Sequence, residues 1–219
     1  MVLAWAVMLP IGVIAARFFK VLPHQNWPQS LDNKGWWHIH RGLQYTGVAL
    51  MFCGLVLVWG QAQQLTLTAK LHSVLGWGVV SLGALQILGG LVRGSKGGPT
   101  GLTMRGDHYD MTRHRVFFEN LHKSFGYLAL CLSVVVISLG LVVAAAPRWM
   151  FIAIAVWWLV LGYMFVRLQR QNRCIDTYQA IWGPDLSHPG NRLPSAGWGM
   201  KRYSAATFAM AFGKMSKKG

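Results

Sequence analysis

The sequence predicts an all-α integral membrane protein with five transmembrane helices, and three observations carry that prediction. Of the 219 residues 53% are hydrophobic, and only six acidic side chains stand against twenty-one basic ones. The apolar residues gather into five runs, at 2–19, 42–59, 71–92, 121–145 and 149–166. Each is close to the ~20 residues that a helix rising 1.5 Å per residue needs to cross a ~30 Å hydrocarbon core. Nineteen of the twenty-one basic residues fall in the connections 17–41 and 93–123 or beyond residue 166, whereas Lys70 and Arg148 stand alone in the other two connections. By the positive-inside rule the N-terminus is then outside and the C-terminus cytoplasmic, in an integral membrane location. The net charge of +15 is therefore a statement of topology, and no nucleic-acid partner is expected. No stretch alternates apolar and polar residues as a membrane barrel would.

Taken in order, the first run ends in "AARFFK" without a basic leader or a cleavage site, so it reads as a helix and not as a signal peptide. The second follows "WWHIH". The third opens "LHSVLG", the fourth "LHKSFG", and the fifth, "RWMFIAIAVWWLVLGYMFV", carries no histidine. Beyond it, 167–219 reads as a basic tail in which "YSAATFAMAFGKMSKKG" could lie as an interfacial helix against anionic headgroups. With the fourth span at 121–145, no carboxylate falls inside the membrane. Cys53, Cys131 and Cys174 form no Cys-x-x-Cys-His motif and read as packing residues, so any haem is held without a covalent link.

The histidines sort by depth. His24, His108, His114 and His188 fall in polar connections and are expected to be solvated, whereas His40, His72 and His122 stand at helix mouths, where an ionisable side chain marks a functional site by default. Neighbouring helices are antiparallel, so His40 and His122 enter from the cytoplasmic side and His72 from the outside. Some ~14–18 helical residues, or roughly 21–27 Å, separate the two layers. Two facing imidazoles from different helices suit bis-histidine ligation of a haem b; a zinc site would call for more ligands. Gly76 and Gly126 follow His72 and His122 by one helical turn on the same face, leaving room for a porphyrin plane, and Gly47, Gly83 and Gly90 could extend that thin stripe. Glycine is also common at plain helix contacts in membranes, and histidines there can hydrogen-bond a neighbouring helix or interfacial water. His38 points about 200° away from His40 and reads as a bystander.

The segments "AWAVMLPIGVIAARFF", "WWHIHRGLQ", "HSVLGWGVVSLGALQILGGLVR" and "HKSFGY" together resemble the transmembrane domain of the cytochrome b561 family, in the five-helix form found alone in bacteria or behind a DOMON domain in plants. The resemblance covers residues 1–166, and "DTYQAIWGPDLSHPGN" beyond it is similar to bacterial members. It implies a four-helix core with two haems b, one near each membrane face, and transfer of electrons across a bacterial inner membrane. The family motif of two aromatics, histidine and glutamine falls on Trp36, Trp37, His40 and Gln44, and the later ligands on His72 and His122. Family members open the first helix with a His-Gly pair, so a partner for His72 is expected roughly three residues, about one helical turn, upstream of Met1. The pair His40 and His122 needs nothing further from the chain.

The function expected is that of an electron carrier, of ferric-reductase-like oxidoreductase type, working between a donor on one face, or the quinone pool, and an acceptor on the other. Its partners would be membrane lipid, a donor such as ascorbate, quinol or a protein, an acceptor, and in a homodimer a second copy. Arg105, Arg113 and Arg115 could bind an anionic donor, although setting topology accounts for the same charges. A haem-free membrane anchor or assembly subunit is the alternative from another class.

Overall fold

The structure is a computed structural model, and it describes residues 1–60, 66–99 and 103–204. Its architecture is all-helical, and among the described residues four helices are long and apolar enough to cross a membrane: α2 (Gly35–Val58), α3 (Leu67–Leu91), α5 (Arg113–Val143) and α6 (Arg148–Arg170). They are preceded by a shorter apolar helix, Leu3–Phe18, whose first turns (Leu3–Met8) are π-helical and whose remainder is α1 (Leu9–Phe18). The departure from α geometry sits beside Pro10, which offers no N–H to the Ala6 carbonyl four residues back. The indole Nε1 of Trp157, on α6, donates to that carbonyl at 2.6 Å. One proline thus ties the first helix to the last long one.

Helix starts follow local capping. The Thr66 hydroxyl accepts from the Ala69 N–H at 3.1 Å at the start of α3, and Thr112 accepts from the Arg115 N–H at 3.3 Å at the start of α5. α2, α5 and α6 all run past the apolar spans read from the sequence, because hydropathy marks the bilayer and caps mark the helix. His40 consequently lies in the second turn of α2 and His122 in the third turn of α5, deeper in their helices than their place at the span mouths implies. The same extension puts Glu119 inside α5, where it is buried one turn before His122.

The bundle packs α3 along α5 and the first helix along α2. Its core gathers Trp5, Leu9, Val48, Met51, Val80, Ala129 and Ile137 at mid-depth. α6 lies to one side and buries only Leu161, the pattern of a helix that faces lipid on most of its surface. Of the expected members of the porphyrin stripe, Gly47 belongs to this packing instead, and Gly83 serves both this packing and the cavity wall. A Cβ on Gly47 would stand 2.8 Å from Leu9 Cδ2, so that glycine admits the first helix. A Cβ on Gly83 would stand 3.1 Å from Trp5 Cζ2 and 3.3 Å from the Met51 sulfur, so its hydrogen mainly makes room for an indole.

After α6 the chain folds back as a cap over one end of the bundle. This cap contains α7 (Thr177–Trp182), whose N-cap Asp176 accepts from the Tyr178 N–H at 2.7 Å, a 3-10 turn (Pro189–Arg192) and a bridge between Ile175 and Lys201. Tyr178, Ile181, Trp182 and Ala196 bury against Met111, beside the short helix α4 (Asp107–Asp110). Basic residues at the helix ends hold the cap by its backbone: Lys20 Nζ donates to Ile175 O at 3.0 Å, Lys123 Nζ to Ala196 O at 2.5 Å and Arg17 Nη2 to Trp198 O at 3.3 Å. The interfacial helix expected for the extreme C-terminus falls almost wholly in 205–219, outside the described residues.

Candidate functional site

At the cap end a cavity of about 450 Å³ opens between the first helix, α2, α3 and α5. His40 and His122 both line it, from α2 and α5, with ring centroids 6.3 Å apart and planes crossed at 81°. The His40 Nδ1–H donates to the Gly12 carbonyl at 3.0 Å, which fixes the tautomer and leaves Nε2 unprotonated as a potential ligand. A Cβ on Gly12 would lie 2.5 Å from Gln44 Nε2, and that amide donates to Leu9 O at 3.1 Å. Gln44 thus lines the cavity while locking α2 to the first helix. His122 stacks on Phe118 at 5.2 Å and 28°. Gly126, Gly83 and Gly90 also line the cavity, and a Cβ on Gly126 would come no closer than 3.7 Å to Gln86 Oε1.

The mouth is strongly cationic. Arg17, Lys20, Arg41, Arg93, Arg115 and Lys123 line the cavity with Glu119 as the one carboxylate among the lining residues. Glu119 accepts from Arg115 Nε at 2.9 Å and from Lys123 Nζ at 2.7 Å, and its Oε1 lies 3.5 Å from His108 Nε2. Burial holds the Lys20 ammonium down at about 8, helped by Lys123, and burial beside Arg115 and Arg41 also lowers Arg93. His108 is not solvated, as its polar connection suggested, but 1% exposed; with no hydrogen-bond partner on Nε2, it is pushed down to about 3 by burial and by Arg115. A second, smaller cavity of about 300 Å³ abuts the first; Trp36, Trp37, Arg93 and Arg115 line both. The exposed His38 faces this second space.

His72 stands elsewhere. Its Nδ1–H donates to Val136 O at 3.0 Å, and its ring fills the space of a missing side chain on Gly140, where a Cβ would lie 2.8 Å from Cε1. Gly76 faces α5 with only Val136 Cγ1 near, at 3.9 Å from a notional Cβ. Of the three arginines, Arg115 joins His40 and His122 at the cavity, Arg105 is exposed and paired with Asp110 (Nε to Oδ1 2.9 Å), and Arg113 is exposed at the start of α5. Sequence reading missed Gly12, Gly140 and Glu119. The last had a signal, since "ENLH" puts a carboxylate one turn before His122.

Among curated proteins, a cytochrome b561 and DOMON domain-containing protein of Arabidopsis thaliana is 33% identical over 143 residues, covering 64% of this chain and 26% of that protein. A putative ferric-chelate reductase 1 homolog of Drosophila melanogaster is 30% identical over 227 residues, covering 95% of this chain and 31% of its own length. Ferric-chelate reductase 1 of Bos taurus is 34% identical over 89 residues, covering 40% of this chain and 14% of its own. These similarities support the cytochrome b561 family. The chain spans less than a third of these relatives, all of them eukaryotic. No family model and no solved structure matches it.

Proposed function

We propose that this chain is a cytochrome b561-type electron carrier that moves electrons across a membrane through haem b held between His40 and His122. The observation that carries the reading is the facing of these two rings across the cavity. Both rings line one cavity with centroids 6.3 Å apart, so these two imidazoles would hold an iron between them. Held by both histidines, a haem iron would supply one-electron transfer without an open site for substrate.

The residues of the chain do the rest. The Gly12 carbonyl orients His40, Phe118 braces His122, and Gly126 and Gly90 leave the wall thin. The cap contributes Cys174, Trp198 and Met200 to the lining and so screens the site from water. His72, at the opposite end of α3, is our candidate ligand for a second haem in the outer layer. We further place the protein in a bacterial inner membrane with the cap on the cytoplasmic face, in line with the charge distribution. A small reductant or quinol would supply electrons, and the ferric-chelate reductases among the relatives make a ferric chelate the acceptor to try first.

The test is optical. Purified protein gives the reduced-minus-oxidised bands of a six-coordinate low-spin haem. His40→Ala and His122→Ala each remove the cap-end component, and His38→Ala leaves it nearly unchanged. A colourless, folded preparation would instead favour a membrane anchor or assembly subunit.

A further inference from the structure

The six cations at the cavity mouth are not equivalent. Lys20, Arg17 and Lys123 are spent on the fold: Lys20 on Ile175 O, Arg17 on Tyr127 Oη, Gln169 Oε1 and Trp198 O, and Lys123 on Glu119 and Ala196 O. The other three lie on the side of Trp37. Arg93 places its guanidinium 4.1 Å from the Trp37 centroid and makes no hydrogen bond or ion pair through its side chain among the described residues. Arg41 lies 5.7 Å from the same indole and 5.5 Å from the Tyr45 ring, likewise without a carboxylate. Arg115 is bound by Glu119 through Nε and by Arg93 O through Nη1, which leaves Nη2 outside both bonds. Of these three guanidinium groups Arg115 is buried, Arg93 half-buried and Arg41 exposed; Glu119 is the one carboxylate lining the first cavity with them, and Asp32, paired with Lys96, lines the second beside Arg93 and Arg115. Removing charge from water without a partner is costly, and like charges add to the cost, so this edge is built for an anion.

Resting on the haem reading above, we infer that Arg93, with Arg41 and Arg115, receives the haem propionates, so that the carboxylate edge of the porphyrin faces Trp37 and the second cavity, away from Lys20 and Arg17. Guanidinium forks suit this task because they match a carboxylate with two parallel N–H donors. Arg93 is a positioning residue in this scheme. It sets which way the macrocycle is turned between the two imidazoles, and its charge favours the reduced, more negative state.

The experiment uses the full chain purified in detergent and reads the resonance Raman bending modes of the propionates together with the midpoint potential. Arg93→Gln shifts the propionate modes and lowers the potential, Arg93→Lys restores the potential and only part of the mode shift, and Lys20→Gln leaves the modes where they were. Modes that move in Lys20→Gln or Arg17→Gln and not in Arg93→Gln would overturn the assignment. Should Arg93→Gln lose haem altogether, Arg93→Lys decides: recovered haem supports the inference, and continued loss makes Arg93 a folding residue and overturns it. Wild-type protein without haem would instead defeat the haem reading itself, a result distinct from a haem turned the other way.

Discussion

Gly140 and His72 act as one unit, because the imidazole sits where any side chain on α5 would go. A methyl group there would come 2.8 Å from Cε1 and 3.3 Å from Nδ1, while the Val136 carbonyl holds the ring from the other side. Gly140→Ala is therefore expected to destabilise the protein by about 1–3 kcal/mol, as overpacking does. Thermal unfolding in detergent checks this, and the spectrum assigned to His40 and His122 stays unchanged. At this scale the sequence was legible where depth alone decided the answer. Helix direction put His40 and His122 in one layer and His72 in the other, and the structure places them so. Glycines were half legible: spacing tells which face a glycine is on but not what fills the space, so Gly126 lines the cavity, Gly83 lines it while admitting Trp5, and Gly47 admits Leu9.

Among the elements, the first helix depends on α6 for what its own proline withholds. Trp157→Phe keeps an aromatic ring near Ala6, though a smaller one, and removes the donor to its carbonyl, leaving a buried acceptor unsatisfied at a cost of about 1–3 kcal/mol. Because Trp157 does not line the cavity, the melting temperature is expected to fall while haem content per folded chain holds; equal losses of both would show that the first helix and the site unfold together. Hydropathy could not reveal this contact, since a tryptophan in an apolar helix reads the same facing lipid or a neighbour. Helix ends were hidden for a related reason. The caps of α3 and α5 are threonines in polar stretches, where a transfer scale sees only the edge of the membrane.

At the scale of the whole molecule, the cap turns a helical bundle into a closed site, and its residues come from the part of the sequence where composition suggested only a basic tail. Its acid sensitivity follows from His108. Burial, with Arg115 beside it, keeps this imidazole neutral down to about 3, whereas in the unfolded chain it takes up a proton below 6.5. The folded pKa lies under the unfolded one, so the stability present above pH 6.5 drains away as the pH falls toward 3. His108→Phe, which cannot take up a proton in either state, is expected to flatten the loss of melting temperature between pH 6.5 and about 5; an acid limb as steep as wild type would show that other groups govern it. The central claim, that His40 and His122 grip one haem, is most directly tested by electron paramagnetic resonance of the oxidised protein. Imidazole planes crossed at 81° call for a strongly anisotropic low-spin ferric signal that vanishes in both His40→Ala and His122→Ala. A wild type with only high-spin ferric signal, or a strongly anisotropic low-spin signal that keeps its full wild-type intensity in both substitutions, would contradict it.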